Sequence, residues 1–271
     1  MPRMIDSPHI VTPGKKLKLA TRETNSKGDF RNKDEANVAT EKLLVELQDY
    51  QEKLYAESQR SLLVIFQAMD AGGKDGAVRT VFTGVNPQGC SVVSFKVPST
   101  LERSHDFLWR HHLACPRKGM IGIHNRSHYE TVLVERVHDI APKNVWSARY
   151  EQINHFEATL AAEGTTVLKF FLHISKEEQK ERLQSRLDEQ DKHWKFNIGD
   201  LAEREKWDDY QAAYEDALEK CSTPAAPWYI IPADYKWYRN YAIAKVIVDA
   251  MKEIDPKFPK NTVDLSKVKI E

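Results

Sequence analysis

One stretch of the sequence has the residue types of a phosphate cradle. Ala68-Met69-Asp70-Ala71-Gly72-Gly73-Lys74-Asp75-Gly76 follows the continuous apolar run SLLVIFQA (residues 61–68), and a helical pattern begins directly after it. Glycines let a backbone wrap an anion, the free amides of a helix N-terminus point at it, and a lysine adds charge. Gly73-Lys74 fits the phosphate-loop pattern G-x-x-x-x-G-K-[ST], with Ala68 standing at its first glycine and Asp75 at its hydroxyl. An ordinary glycine turn would use the same residues. The place between a buried strand and a helix favours the cradle, with Gly72, Gly73, Lys74, Asp75, Gly76 and Arg79 against phosphate. A carboxylate there would repel phosphates, so Asp70 calls for Mg2+ (Mn2+ as a substitute), which takes one or two carboxylates together with phosphate oxygens. The alternative for Asp70 is a turn cap.

A second polar cluster, Asn125-Arg126-Ser127-His128-Tyr129-Glu130, follows the apolar stretch Met120-Ile121-Gly122-Ile123-His124. Open parallel sheets bind ligands beyond the carboxyl ends of their strands, so this cluster should face the phosphate loop. Arg126 offers a planar fork suited to phosphate, and Asn125 and Ser127 offer neutral hydrogen bonds. Glu130 would either approach the ligand gathered there or serve only the dipole of the next helix. Lys96, Arg117 and Lys118 flank expected strands and could line a groove for a long polyanion, or merely solvate the surface. Arg182 and Arg186, four apart on one helical face, are lid candidates between which spacing does not choose. Salt bridges to Glu178, Asp188 or Glu189 would use the same side chains. No zinc spacing connects the ten histidines and three cysteines.

The frame around these residues is legible in outline. At 271 residues, 41% hydrophobic and 30% charged, the chain can bury a core, and the three cysteines fit no disulfide framework. No apolar run approaches the ~18–20 residues of a membrane span, and MPRMIDSPHI has no secretory apolar region, so a reducing cytoplasm is expected. Forty basic and forty acidic residues cancel, yet Lys74 to Arg126 holds eight basic against three acidic. A basic middle in a neutral chain implies a local anion site rather than a nucleic-acid coat. Residues 1–33 are polar and aperiodic and read as an extended, clasping arm. Helical spacing covers about 34–59, 75–84, 100–113, 128–135, 145–162, 175–190 and 236–252, and strands about 61–68, 91–97, 119–124, 165–173 and 227–232. Alternation of the two implies an α/β fold with a central parallel sheet covered on both sides. Residues 188–222 are dense in charge, so a single domain, 34–271, with a mobile helical lid over about 175–222 is expected.

The blocks QAMDAGGKDGAVR, GVNPQGCSVVSFKVPS, HDFLWRHH, GMIGIHNRSHYETVLVERVH and APWYIIPADYKWYRN resemble those of the polyphosphate kinase 2 family, over roughly residues 43–251. Their wording is similar to the class III branch, whose members accept AMP and ADP. The resemblance implies a phosphate-loop kinase fold, similar to thymidylate kinases, with a helical lid. It also implies Mg2+-dependent, reversible transfer of the terminal phosphoryl group of inorganic polyphosphate to a nucleotide, giving ADP or ATP. Asp70, Lys74, Arg126 and a lid arginine, by the family pattern Arg186, take the catalytic roles, and a homodimer or homotetramer is implied. By the same resemblance Asn125, Ser127 and Glu130 face the nucleotide, where the Glu130 carboxylate would disfavour a diphosphate acceptor. The departures at Ala68 and Asp75 recur in that branch. Two other functions share these features: an ATP-dependent nucleoside monophosphate kinase with a compact acceptor pocket, and a non-catalytic binding module.

Overall fold

The computed structural model describes residues 4–263 and 268–270, and among them five strands form one sheet. They are β1 (Ser61–Ala68), β2 (Cys90–Ser94), β3 (Ile121–Asn125), β4 (Thr165–His173) and β5 (Trp228–Pro232). All neighbours are parallel, in the order β2-β3-β1-β4-β5. Every residue of β1 is buried, as its unbroken apolar run requires for a strand covered on both faces. From β1 the chain passes to the edge strand β2 and returns to β3 between the two, then crosses β1 and builds outward through β4 and β5. The direction of winding therefore reverses around β1, and such reversals open a crevice beyond the strand ends.

The helices, in chain order, are α1 (Lys33–Glu57), α2 (Lys74–Val81), α3 (Thr100–Arg103), α4 (Trp109–Leu113) and α5 (Val134–Val137). They continue as α6 (Lys143–Ala162), α7 (Lys176–Asp188), α8 (Gly199–Glu205), α9 (Trp207–Cys221) and α10 (Lys236–Ile254). Asn32 caps α1 through the Glu35 amide (2.9 Å), and Leu43, Leu47 and Leu54 turn one face of that helix inward toward α10. α10 buries Ile243, Val246, Ile247, Ala250 and Met251 and packs on β4 and β5. α6 packs on β4 and on α9. The N-terminal arm clasps the outer edge of the sheet: the Val11 amide donates to the Trp228 carbonyl and the Ile230 amide to that of His9, both at 2.8 Å, while Ile5, Val11, Leu17 and Leu19 are buried. An edge strand paired in this way offers fewer free backbone groups to another chain.

Three expectations are corrected. The helix expected over 100–113 is two short helices, because a Ser99/Glu102 capping box starts α3 and the Asp106 carboxylate accepts from the Leu108 amide ahead of α4. The helix expected over 128–135 is a 3-10 turn, His128–Val132, followed by the single turn of α5. The stretch expected to continue a lid to 222 is, from Trp207 onward, a core-packed helix. Trp207, Tyr210, Ala213, Tyr214, Ala217, Leu218 and Cys221 bury one face of α9, and Tyr214 packs on Phe171 of β4 with ring centroids 4.4 Å apart. Charge on the solvent face of α9 had masked a helix that belongs to the core layer.

Candidate active site

The phosphate loop joins β1 to α2 through two left-handed residues, Ala71 (φ 59°) and Gly73 (φ 94°). A Cβ on Gly72 would stand 2.7 Å from the Met69 carbonyl, and one on Gly73 would strike the Arg239 guanidinium, so both glycines are demanded by space. Lys74 is buried, and its Nζ donates to the Ala68 carbonyl at 3.0 Å, closing the loop on itself. Burial, with the Arg126 charge beside it, lowers the Lys74 pKa to about 8 against the opposing pull of Asp70, Glu130 and Asp75. Asp70 accepts from Arg126 Nη2 at 2.8 Å through Oδ1 alone, and Asn125 donates to Asp75. Arg126 adopts a left-handed backbone (φ 63°), its amide held by the Phe66 carbonyl of β1 at 3.0 Å. Strain of that kind at a charged residue is a feature of working sites.

These residues open on a cleft of about 640 Å3. Its lining includes ten basic side chains and three acidic ones, Asp70, Asp75 and Asp200. Segments beyond the exits of all five strands contribute: the phosphate loop after β1, Lys96 after β2, Arg126 after β3, Arg182 and Arg186 after β4, and Lys236 and Arg239 after β5. Of the three carboxylates, Asp70 and Asp75 stand on the phosphate loop and are of the type Mg2+ takes together with phosphate oxygens. No group of three or more acidic, histidine or cysteine side chains that could hold a metal by itself exists among the described residues.

Gly72, Gly73, Gly76, Arg79 and Asn125 also line the cleft. Arg182 and Arg186 of α7 differ in kind. Arg182 donates to the carbonyls of Ala71 (3.0 Å), Ala233 (2.6 Å) and Asp234 (3.2 Å), and so ties α7 to the phosphate loop and to the segment after β5. Arg186 pairs with Asp200 of α8 (2.8 Å) and holds the Lys195 carbonyl of the preceding 3-10 turn (3.1 Å). Ser127 lies elsewhere: it is fully buried, accepts from Gln67 and caps the Tyr129 amide, so its hydroxyl shapes the turn. Glu130 lies beside Arg126 and Lys74 but outside the cleft lining, and burial raises its carboxyl pKa against those two cations. Arg117 and Lys118, expected to line a groove continuous with the site, are not brought to the cleft. They precede β3, where the Gly119 amide donates to the Arg60 carbonyl just before β1, and so lie at the opposite end of the sheet. Five residues of β3 at ~3.3 Å each separate them from the cleft edge, out of reach of the phosphate loop.

Arg239 escapes sequence reasoning, as do Lys236, Lys192 and Lys195. Arg239 is 3% exposed, bonds only the Asn240 amide oxygen, and has no carboxylate partner among the described residues. Desolvation, with Arg182 nearby, lowers its pKa to about 10. A buried guanidinium left without an anion is a group waiting for one. Nothing local in ADYKWYRN marks it, because the loop it covers lies at the other end of the chain.

The polyphosphate kinase 2 (PPK2) family model matches residues 30–259. The chain belongs to the polyphosphate kinase 2 family. Within that family it is 53% identical over 225 residues to an AMP/ADP-polyphosphate phosphotransferase of Meiothermus ruber, covering 83% of this chain and 84% of that one. It is 42% identical over 264 residues to an ADP-polyphosphate phosphotransferase of Rhodopseudomonas palustris, covering 93% and 91%. The crystal structure of polyphosphate kinase 2 from Arthrobacter aurescens TC1 superimposes with a TM-score of 0.92 at 42% identity, covering 97% of this chain and 95% of that one. The fold is thus the phosphate-loop kinase-like α/β fold of the family, and the chain is an enzyme of the phosphotransferase class.

Proposed function

We propose that this chain transfers the terminal phosphoryl group of inorganic polyphosphate to AMP and ADP, reversibly. The observation that carries the reading is the charge of the cleft: ten cations against three anions. An acceptor phosphate oxygen attacks the terminal phosphorus, the bridging P–O bond breaks, and the electron pair leaves on the shortened polyphosphate. The attacking oxygen is already deprotonated, so no general base is needed, and positioning with charge neutralisation does the work.

Lys74 and the loop amides hold the donor's terminal phosphates, Arg126 meets the transferring group, and Arg186 swings in with the lid. Arg239, Lys236 and Lys96 hold the chain behind them. Asp70 and Asp75 would hold Mg2+ (or Mn2+), which neutralises phosphate charge when bound. Glu130, next to Arg126 and Lys74, would bias the acceptor toward the monophosphate. Assembly as a dimer or tetramer belongs to the proposal, since β2 and the segment after it expose Val92, Val97 and Leu101. So does a cytoplasmic location, which the free thiols of Cys90, Cys115 and Cys221 suit.

Purified protein given AMP or ADP, long-chain polyphosphate and Mg2+, without ATP, should form ADP and ATP. Turnover only with ATP as donor would replace this reading by a nucleoside monophosphate kinase, and binding without turnover by a binding module.

A further inference from the structure

The lid presents an aromatic ring that packing does not explain. Trp194 is 79% exposed and lines the same cleft as the phosphate loop. Water contact for most of an indole costs burial energy that a core tryptophan would recover. The ring is not on a loose loop. It sits in the 3-10 turn Gln190–Lys195, where the Phe196 amide donates to the His193 carbonyl (2.9 Å) and His193 Nε2 bonds the Leu187 carbonyl (2.9 Å). Lys192 Nζ donates to Ser185 Oγ at 2.9 Å, and Arg186 Nη1 holds the Lys195 carbonyl at 3.1 Å. The residue after the tryptophan is therefore tied to a guanidinium that lines the phosphate cleft. Lys195 Nζ stands 5.0 Å from the Trp194 ring centroid, and Ile198, 73% exposed, follows on the same segment.

A phosphate chain gains nothing from an indole face, whereas Lys192 and Lys195 beside it serve phosphate well. A nucleobase gains much: every base has a π face, and stacking is indifferent to its hydrogen-bonding edge. We propose that Trp194 is the stacking platform for the acceptor's nucleobase, with purines held better than pyrimidines because they cover more of the ring. The cation at 5.0 Å would hold one face of the indole while the base takes the other. The turn's bond to Arg186 ties the seating of the base to the placement of the arginine. This rests on the reading of the cleft as a nucleotide phosphotransferase site.

The test combines kinetics with a binding measurement that needs no turnover. Trp194→Ala should raise the KM for AMP about 5- to 150-fold, the span of one lost stacking contact, and leave the KM for long-chain polyphosphate within about twofold. Trp194→Phe should restore most of the AMP affinity. AMP alone should quench the intrinsic tryptophan fluorescence of the wild-type protein but not of Trp194→Phe, while ribose 5-phosphate and tripolyphosphate should not quench it. Equal quenching by ribose 5-phosphate and AMP, or a parallel rise of both KM values, would make Trp194 a lid-closure residue and overturn the proposal. A changed oligomeric state with unchanged AMP binding would overturn it too. Base-dependent quenching in a protein without polyphosphate-driven turnover would sink the phosphotransferase reading and leave the stacking site intact.

Discussion

Two charged regions stand on opposite sides of the turn that carries Arg126, and they are built by opposite rules. Behind it, Lys169 of β4 donates to Glu157 of α6, to the Tyr129 hydroxyl (2.8 Å) and to the Cys221 carbonyl (2.7 Å). Glu157 also accepts from Tyr129 (2.9 Å) and bonds His128 (3.2 Å), and all four side chains are fully buried. Every charge there is answered by the protein, and the network ties β4, α6 and α9 to the turn after β3. In front of it lie cations without an equal number of anions, and Arg239 is buried with no carboxylate at all among the described residues. Paired charge fixes a shape, and unpaired charge stores a demand for a ligand at a cost in stability.

Breaking the paired region should cost most. Glu157→Gln leaves the Lys169 ammonium buried with only neutral acceptors, which costs about 3–5 kcal/mol and should lower the melting temperature by roughly 10 °C. Glu157→Gln combined with Lys169→Met should recover a large part of that loss in thermal melts. If the single variant melts like the wild type, the network is not holding the turn.

Loss of Lys74 should show the reverse pattern. Lys74→Ala should reduce kcat by about 100- to 1,000-fold, as for a removed transition-state donor, with a small change in melting temperature. The free enzyme's Lys74 loses its proton as pH climbs through about 8, so kcat/KM for polyphosphate should fall above that pH. In the complex, phosphate favours the ammonium, so kcat should fall at a higher pH. Coincident pH profiles of kcat and kcat/KM would assign the titration to another group.

Arg239→Met sharpens the contrast. Burial holds the folded-state pKa at about 10, below the ordinary arginine value, so at neutral pH the charged group opposes folding. Its removal should raise the melting temperature by a few degrees, while the KM for polyphosphate rises about tenfold or more. A variant that is both less stable and normal in KM would place Arg239 with the paired charges. The smallest effect belongs to Arg117→Ala with Lys118→Ala, which should leave the KM for polyphosphate within about twofold because both residues stand at the far end of the sheet.

Much of the site was legible in one dimension because its chemistry is local. A strand buried at every position, two glycines, a lysine and a helix start are consecutive in the chain, and Asn125-Arg126 directly ends the next inner strand. Residue type and nearest-neighbour order settle such features, since sterics and the free amides of a helix N-terminus act over a few ångströms. The sequence likewise determined the alternation of strand and helix, and with it a parallel sheet whose ligands gather at the carboxyl ends. Which end of the sheet a flanking cation occupies, however, depends on whether it enters or leaves its strand, and there Arg117 and Lys118 part company with Lys96. Tertiary structure alone decided that Arg239 covers Gly73, that α9 is core rather than lid, and that Lys169 finds Glu157 while the cleft's cations do not all find partners. Pairing is a matter of distance in space, and Coulomb energy and desolvation depend on neighbours that chain order does not name.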